Sequence, residues 1–465
     1  MEQNIIRVLS GEKFTPYSLA RKLGAVAILE SSSFDKGRER YSLLMIDRAF
    51  TIEQRGPDII FDDGSSRSKV KSKAADILDV LEYFASQHEG RKPGDFPFPA
   101  GGMGYLSFEF ARYCDSIYFR DKTDSLQLPD ALYMFGHVFL VFDHYTDQMY
   151  LIGLNYREHR IDIDARLDEV EATIGNLDFT YLQDDTRDYD AEIIDDPTEK
   201  DAYTSAVARA REYIIAGDIL QVVPSRRLSV KTELPAIEAY RRLRQSNPSP
   251  YLFYLDFGTW QLFGSSPEVH VKVRDGLATM RPIAGTRRRG EDREEDMRLR
   301  EELLGDPKER AEHLMLVDLA RNDLGRVCRP GTVQVSDFMI IEQYSHVMHI
   351  VSEVHGRLVP GTRGVDAIRA TFPAGTVSGA PKIRAIEIID ELEDEKRGFY
   401  AGLVGYMEPG GNLDTCITIR SAMCREGIMT IQAGAGVVYD SDPDREYEET
   451  QEKLGALLRA LDLGD

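Results

Sequence analysis

Tyr251-Leu252-Phe253-Tyr254-Leu255-Asp256-Phe257-Gly258-Thr259-Trp260-Gln261-Leu262-Phe263-Gly264-Ser265-Ser266-Pro267-Glu268-Val269-His270-Val271-Lys272-Val273 is the stretch that decides the fold class. Three β-rich runs, Tyr251–Phe257, Gln261–Phe263 and Val269–Val273, follow one another with period-two patterns and short gaps carrying Gly, Ser and Pro. Parallel neighbours need a crossover of about a dozen residues or more. These gaps are too short for that, so the runs read as antiparallel meanders and not as a βαβ series. The expected fold is α+β: mixed or antiparallel sheets packed as a sandwich with helices around them.

Outward from this stretch, Ile219–Leu228 reads as a further strand, and a helix runs from near Thr198 to Gly217 with Tyr203, Val207, Ala210 and Ile214 on one face. Three clear helices follow downstream: Pro307–Leu324, Pro381–Leu392 and Pro443–Leu461. Upstream, residues 184 to 199 hold eight Asp or Glu, one Arg and one Pro with little periodicity. That composition suits an exposed linker, and it divides an N-terminal region, 1–183, from a larger region, 198–465, across a linker at 184–197. In the N-terminal region Ala25–Leu29, Tyr41–Ile46, Leu132–Phe142 and Met149–Leu154 read as strands. Ser72–Gln87 reads as a helix, with Ser72 as its N-cap and Ile77, Val80, Leu81 and Phe84 at helical spacing.

A net charge of -22, with no basic stripe on any element, argues against nucleic acid as a partner. No apolar run approaches the roughly 20 residues of a membrane span, and Met1–Asn4 lacks a signal-peptide pattern. The four cysteines show no paired metal spacing and read as reduced thiols, so the expected setting is the cytoplasm.

Two glutamate pairs carry the strongest chemical signal. Glu309 and Glu312 stand three apart near the start of one helix, and Glu446 and Glu449 repeat the spacing near the chain's end. Residues three apart share a helix face, so each pair can aim two carboxylates at one point, as Mg²⁺ requires. The same residues also suit a helix start, with Glu309 at a capping-box position, and a routine surface pair of Glu449 with Lys453. Gly375–Lys382 is a small, hydroxyl-bearing turn into a helix, either an anion site or a plain tight turn. Gly434-Ala435-Gly436 lets backbone come close to a ligand. Arg420, within the strand-like Leu413–Cys424, can grip a carboxylate or serve structure alone.

With these pieces stand Pro282-Ile283-Ala284-Gly285-Thr286, Gly217–Val223, Gly264–Glu268, Asp323–Val327 and Gln432–Gly436, in that company from Thr198 to Leu461. Together they resemble the chorismate-utilising enzymes, a family that includes anthranilate, aminodeoxychorismate, isochorismate and salicylate synthases. The resemblance implies that Glu312 and Glu449 hold Mg²⁺, with Glu309 and Glu446 direct or through water. It implies that Gly285, Thr286, Tyr400, Arg420, Gly434, Ala435 and Gly436 line a chorismate site, with Lys382 a second positive group. Glu268 is then the general acid, His349 handles protons, and Thr376 holds the departing hydroxyl. By pattern alone His349 is a packed histidine, Glu268 a strand end and Thr376 part of a turn.

The resemblance also separates branches. Aminodeoxychorismate enzymes usually carry a lysine where this chain has Ala284, and water-using branches carry one where it has Gln221. Neither residue here is a nucleophile or a base, so ammonia is the implied nucleophile and the anthranilate synthase component I branch the closer likeness. Leu29-Glu30-Ser31, ten residues, then Ser42 resembles that branch's tryptophan-feedback motif, and Asn247–Phe253 its other half. A tryptophan site of Glu30, Ser31, Ser42, Pro250, Tyr251 and Leu252 is implied. No cysteine stands in a Gly-x-Cys-x-Gly setting, so glutamine use implies a separate amidotransferase subunit, assembled as pairs of both chains. An aminodeoxychorismate synthase or a non-catalytic tryptophan-binding regulator are the alternative readings.

Overall fold

The computed structural model describes residues 4–31, 40–71, 74–90, 94–176, 178, 189–194, 198–344 and 347–463. Every ladder between its named strands is antiparallel. The ladders run in two directions from a pair of long strands, Tyr41–Arg55 and Ala131–Asp143. One sheet continues from Tyr41–Arg55 through Ala27–Glu30, Tyr251–Asp256, Gln261–Ser266, Ser421–Arg425, Ile428–Gly434 and Ser225–Thr232 to Ala191–Ile194. The other continues from Ala131–Asp143 through Met103–Leu106, Leu403–Met407, Leu413–Ile417, Val269–Arg274 and Leu277–Met280 to Val347–Arg357. Register shifts between Met45 and Phe50 bend the long pair, as where a strand passes between the layers of a sandwich. Strands from 1–183 and from 198–465 thus share both sheets.

The first sheet is buried on both faces. Leu43 and Met45 point into one apolar cluster while Leu44 and Ile46 point into a second; Phe253 and Leu255 divide from Leu252 and Tyr254 in the same way. The second cluster is roofed by helices Pro16–Leu23, Ile163–Gly175, Ala236–Ser246 and Pro443–Ala460. This two-sided burial explains why the strands read as nearly continuous apolar runs.

Several boundaries differ from expectation. The helix read from Ser72 begins at Ile77, where the Asp76 carboxylate accepts from the Leu78 amide; Ser72 itself lies outside the described residues. Ile219–Leu228 is two strands, Gln221–Val222 and Ser225–Thr232, parted at Pro224, whose missing N–H cannot join a ladder. Within the segment read as a linker, Ala191–Ile194 forms an edge strand on Ser225–Thr232, while 179–188 and 195–197 lie outside the described residues. No helix among the described residues is long and apolar enough to cross a membrane, and the four cysteines are unpaired.

The opening stretch holds the main departure. Its strands do not form one meander: Tyr251–Asp256 and Gln261–Ser266 belong to the first sheet, and Val269–Arg274 pairs in the second. Residues 267–268 carry the chain across. Leu413–Cys424, read as one strand, makes the reverse crossing, from Leu413–Ile417 to Ser421–Arg425.

Candidate active site

The two crossings lie side by side, joined by backbone hydrogen bonds from Ile417 N to Glu268 O (3.0 Å) and from Ser265 N to Arg420 O (3.0 Å). Glu268 and Arg420 occupy the turns themselves. Arg420 has φ 48°, in the left-handed region that a non-glycine residue adopts only when its surroundings insist. The bend takes its side chain out of the alternation of either strand and into a cleft.

That cleft, about 990 Å³ with its open mouth included, is lined by Gln221, Glu268, Ala284, Gly285, Thr286, Glu312, His349, Thr376, Tyr400, Arg420, Gly434, Gly436, Glu449 and Lys453 among others. The volume suits a small organic ligand. Arg420 makes no ion pair among the described residues, and burial pulls its guanidinium below its ordinary value. Burial pushes Glu268 up to about 8, against the opposing pull of the Thr376 hydroxyl, the Ile283 amide and Arg420. Thr376 stands close enough to act on that carboxyl, but its buried hydroxyl makes no well-formed hydrogen bond among the described residues. The cleft therefore presents an uncharged carboxylic acid at neutral pH beside an unneutralised cation.

Strand Ile283–Arg288 forms one wall, with a bulge at Gly285, whose φ of 68° glycine tolerates. The bulge turns Gly285 O and the Thr286 hydroxyl toward His349 Nδ1, at 3.1 and 3.0 Å. Gly285 O can only accept, so the proton sits on Nδ1. Nε2 is buried without a partner among the described residues, and burial pulls the ring down to about 4. His349 is a neutral imidazole with a bare acceptor nitrogen. Opposite, a Cβ on Gly436 would stand 2.5 Å from Gln221 Nε2, and one on Gly434 would stand 2.6 Å from Pro224 O. The Pro224 carbonyl is backbone and cannot give way, so Gly434 needs glycine, whereas the end of the Gln221 side chain can move from a Cβ at 436. Ala435 is buried and does not line the cleft.

The glutamate helices begin alike. Asp306-Pro307 and Asp442-Pro443 each place an aspartate N-cap before a proline in the first turn. Asp306 caps the Lys308 and Glu309 amides but gives its own N–H to Leu303 O, so the Glu309 carboxylate closes no capping box and instead accepts from Arg287 Nη1 at 3.1 Å behind Gly285. Glu312 and Glu449 reach the cleft; Glu446 is buried outside its lining. Burial, then repulsion from Glu309 and Glu449, pushes Glu312 up to about 7. Gln221 Nε2 donates to Glu312 at 3.1 Å. No set of three or more His, Cys, Asp or Glu among the described residues is grouped to hold a metal on its own.

Two lysines exchange places with expectation. Lys382 turns away from the cleft: its Nζ donates to Asp323 (2.6 Å) and to Thr371 O (2.7 Å), a buried structural pair. Lys453 instead lines the cleft, donating to Gly434 O and pairing with Glu449, both at 2.8 Å. Burial works against its charge, but Glu449 outweighs it and holds Lys453 above its ordinary value.

The family model for chorismate binding enzymes matches residues 32–459. The chain belongs to the chorismate-binding enzyme family. Among similar members of this family, the anthranilate synthase component 1 of Spirochaeta aurantia is 61% identical over 464 residues, covering 99% of this chain and 96% of that one. That of Pseudomonas putida is 41% identical, covering 97% and 93%. The crystal structure of anthranilate synthase component I from Streptococcus pneumoniae TIGR4 superposes with a TM-score of 0.80 at 35% identity, over 90% of this chain and 92% of that one. The menaquinone-specific isochorismate synthase of Escherichia coli shares the fold, with a TM-score of 0.72 at 20% identity over 99% and 96%.

This chorismate-binding enzyme has a second cavity, about 780 Å³, lined by Glu30, Ser31, Tyr41, Leu43, Pro250, Tyr251, Leu252, Lys272, Arg274 and Asp414 among others. Ser31 Oγ is buried there without a partner among the described residues. The Glu30 carboxylate is turned elsewhere, accepting from Tyr240 (2.7 Å) and pairing with Arg244 (2.8 Å). Ser42 does not reach the cavity. It lies between Tyr41 and Leu43, which do, so strand alternation aims it at the other face, where its hydroxyl meets His144 Nε2 at 2.7 Å.

Proposed function

We propose that the cleft converts chorismate and ammonia into anthranilate, pyruvate and water. The observation that carries this reading is the pairing of an uncharged acid, Glu268, with an unneutralised cation, Arg420, in a cleft whose wall is Ala284 and not a nucleophile. Arg420 and Lys453 bind the substrate's two carboxylates, a bidentate grip being the natural use of an unpaired guanidinium. Ammonia attacks ring carbon 2, and the electron pair shifts through the ring as the hydroxyl at carbon 4 leaves. Glu268 gives that hydroxyl its proton and Thr376 steadies it, so water departs. In the second step the ring loses its proton at carbon 2, the enolpyruvyl group leaves as enolpyruvate, and a proton taken up at its methylene carbon makes it pyruvate. His349 Nε2, buried with no partner among the described residues, accepts that proton.

Mg²⁺ belongs to the same proposal. Glu312 and Glu449 would hold it, with Glu309 and Glu446 behind them, and the repulsion that raises Glu312 is what a divalent cation relieves. When bound it supplies electron withdrawal at the substrate carboxylate. The Ser31 cavity is proposed to hold L-tryptophan as a feedback inhibitor, with its unpartnered hydroxyl as one anchor. Glutamine as nitrogen source then calls for a separate amidotransferase subunit, two copies of each chain, in the cytoplasm. The test is the purified chain with chorismate, Mg²⁺ and ammonium, followed by anthranilate fluorescence. Release of aminodeoxychorismate, or a folded chain without turnover, counts against the proposal.

A further inference from the structure

Arg397 is 1% exposed, does not line the cleft, and yet touches three parts of its wall. Its Nη1 donates to Val377 O at 3.0 Å and its Nη2 to Val223 O at 2.6 Å. The guanidinium lies between the rings of Phe108 and Tyr400, with centroids at 4.5 and 5.6 Å. Val223, Val377 and Tyr400 all line the cleft, and Val377 directly follows Thr376. A fourth contact is indirect. Glu393 grips Arg397 in bidentate fashion, at 2.8 and 2.6 Å, and accepts from both the amide and the hydroxyl of Ser225 at 2.8 Å. Ser225 Oγ accepts from Gln432 Nε2 at 2.8 Å, and Gln432 lines the cleft. Behind Arg397, the Glu109 carboxylate accepts from the amides of Arg397 (2.8 Å) and Gly398 (3.1 Å), fixing the backbone that carries it.

Stability alone does not call for this arrangement. A buried ion pair contributes little net stability over apolar groups of the same volume, because both ions lose their hydration. What four directed donor contacts supply, and apolar packing does not, is register between segments far apart in sequence. We infer that Arg397 is a positioning residue for the reaction: it holds the turn Gly375–Val377 and the Tyr400 ring in place so that the Thr376 hydroxyl faces Glu268. This rests on the proposed function, since it is the departing hydroxyl that Thr376 and Glu268 must meet together.

The test compares Arg397→Lys and Glu393→Asp with the unaltered chain in the ammonium-dependent assay, at a temperature well below every melting midpoint. Arg397→Lys keeps the charge and loses the fork. Glu393→Asp keeps every partner and shortens the grip. Misplacement of reacting groups by a fraction of an ångström lowers kcat more than binding, so each is expected to lose about tenfold in kcat with KM for chorismate within about threefold. A purely structural role predicts a lower melting midpoint with unchanged kcat per folded molecule. Unchanged kcat in either folded variant overturns the inference, and Glu393→Asp decides if Arg397→Lys does not fold. No turnover by the unaltered chain would instead overturn the proposed function.

Discussion

The cleft and the Ser31 cavity share a scaffold and differ in how their charges are settled. Around the cavity each ion has a partner: Glu30 with Arg244, Lys272 with Asp414 at 2.8 Å, Arg274 with Glu408 at 3.2 Å. What remains open to a ligand is a hydroxyl and apolar surface. In the cleft, Arg420 is unneutralised, Glu268 is held protonated, and Glu312 is crowded by like charges. Settled charges suit a site that holds a zwitterion and lets it go. Unsettled ones are the mark of a site whose electrostatic demands are met only by a charged substrate and the charge it develops.

The largest test of that contrast removes the acid. Glu268→Gln keeps the shape and is expected to lower kcat about a thousandfold with little change in KM, the range for loss of a placed general acid; a tenfold loss or less would break the comparison. Arg420→Lys comes next. It keeps a positive charge but not the planar fork, and kcat/KM for chorismate is expected to fall about a hundredfold, chiefly through KM. The pH profile sharpens the point. Glu268 acts in its protonated form and its value in the unliganded chain is raised to about 8, so kcat/KM holds below that pH and falls about tenfold per unit above it. Absence of the alkaline limb in the unaltered chain would show that Glu268 is not the acid. In the quieter cavity, Ser31→Phe is expected to weaken tryptophan inhibition about tenfold at unchanged uninhibited rate, by filling the space. Ser42→Ala should leave inhibition alone and cost only about 1 kcal/mol of stability through its bond to His144.

Much of the site was legible because its residue types are costly to place by chance. One glutamate of each pair, Glu312 and Glu449, the close-approach glycine Gly434 and the motif around Ala284 line one cleft. What escaped depends on geometry that spacing does not carry. Lys453 is four residues from Glu449 whether that helix face meets water or a cleft; only its contact with Gly434 O tells the two apart. Lys382 sits beside the right turn, but Asp323 claims it. Ser42 has the right distance along the chain and the wrong face of the strand. Glu268 and Arg420 were found as residues, whereas the paired sheet crossings that bring them together were hidden inside what read as unbroken strands.

The central claim is that this cleft, with alanine at 284 and glutamine at 221, takes free ammonia onto the substrate ring. The direct measurement supplies heavy-nitrogen ammonium with chorismate and Mg²⁺ to the purified chain and weighs the product. Anthranilate with its amino nitrogen fully labelled is the predicted result; a product without nitrogen, or one that gains a hydroxyl at carbon 2 from water, would contradict it.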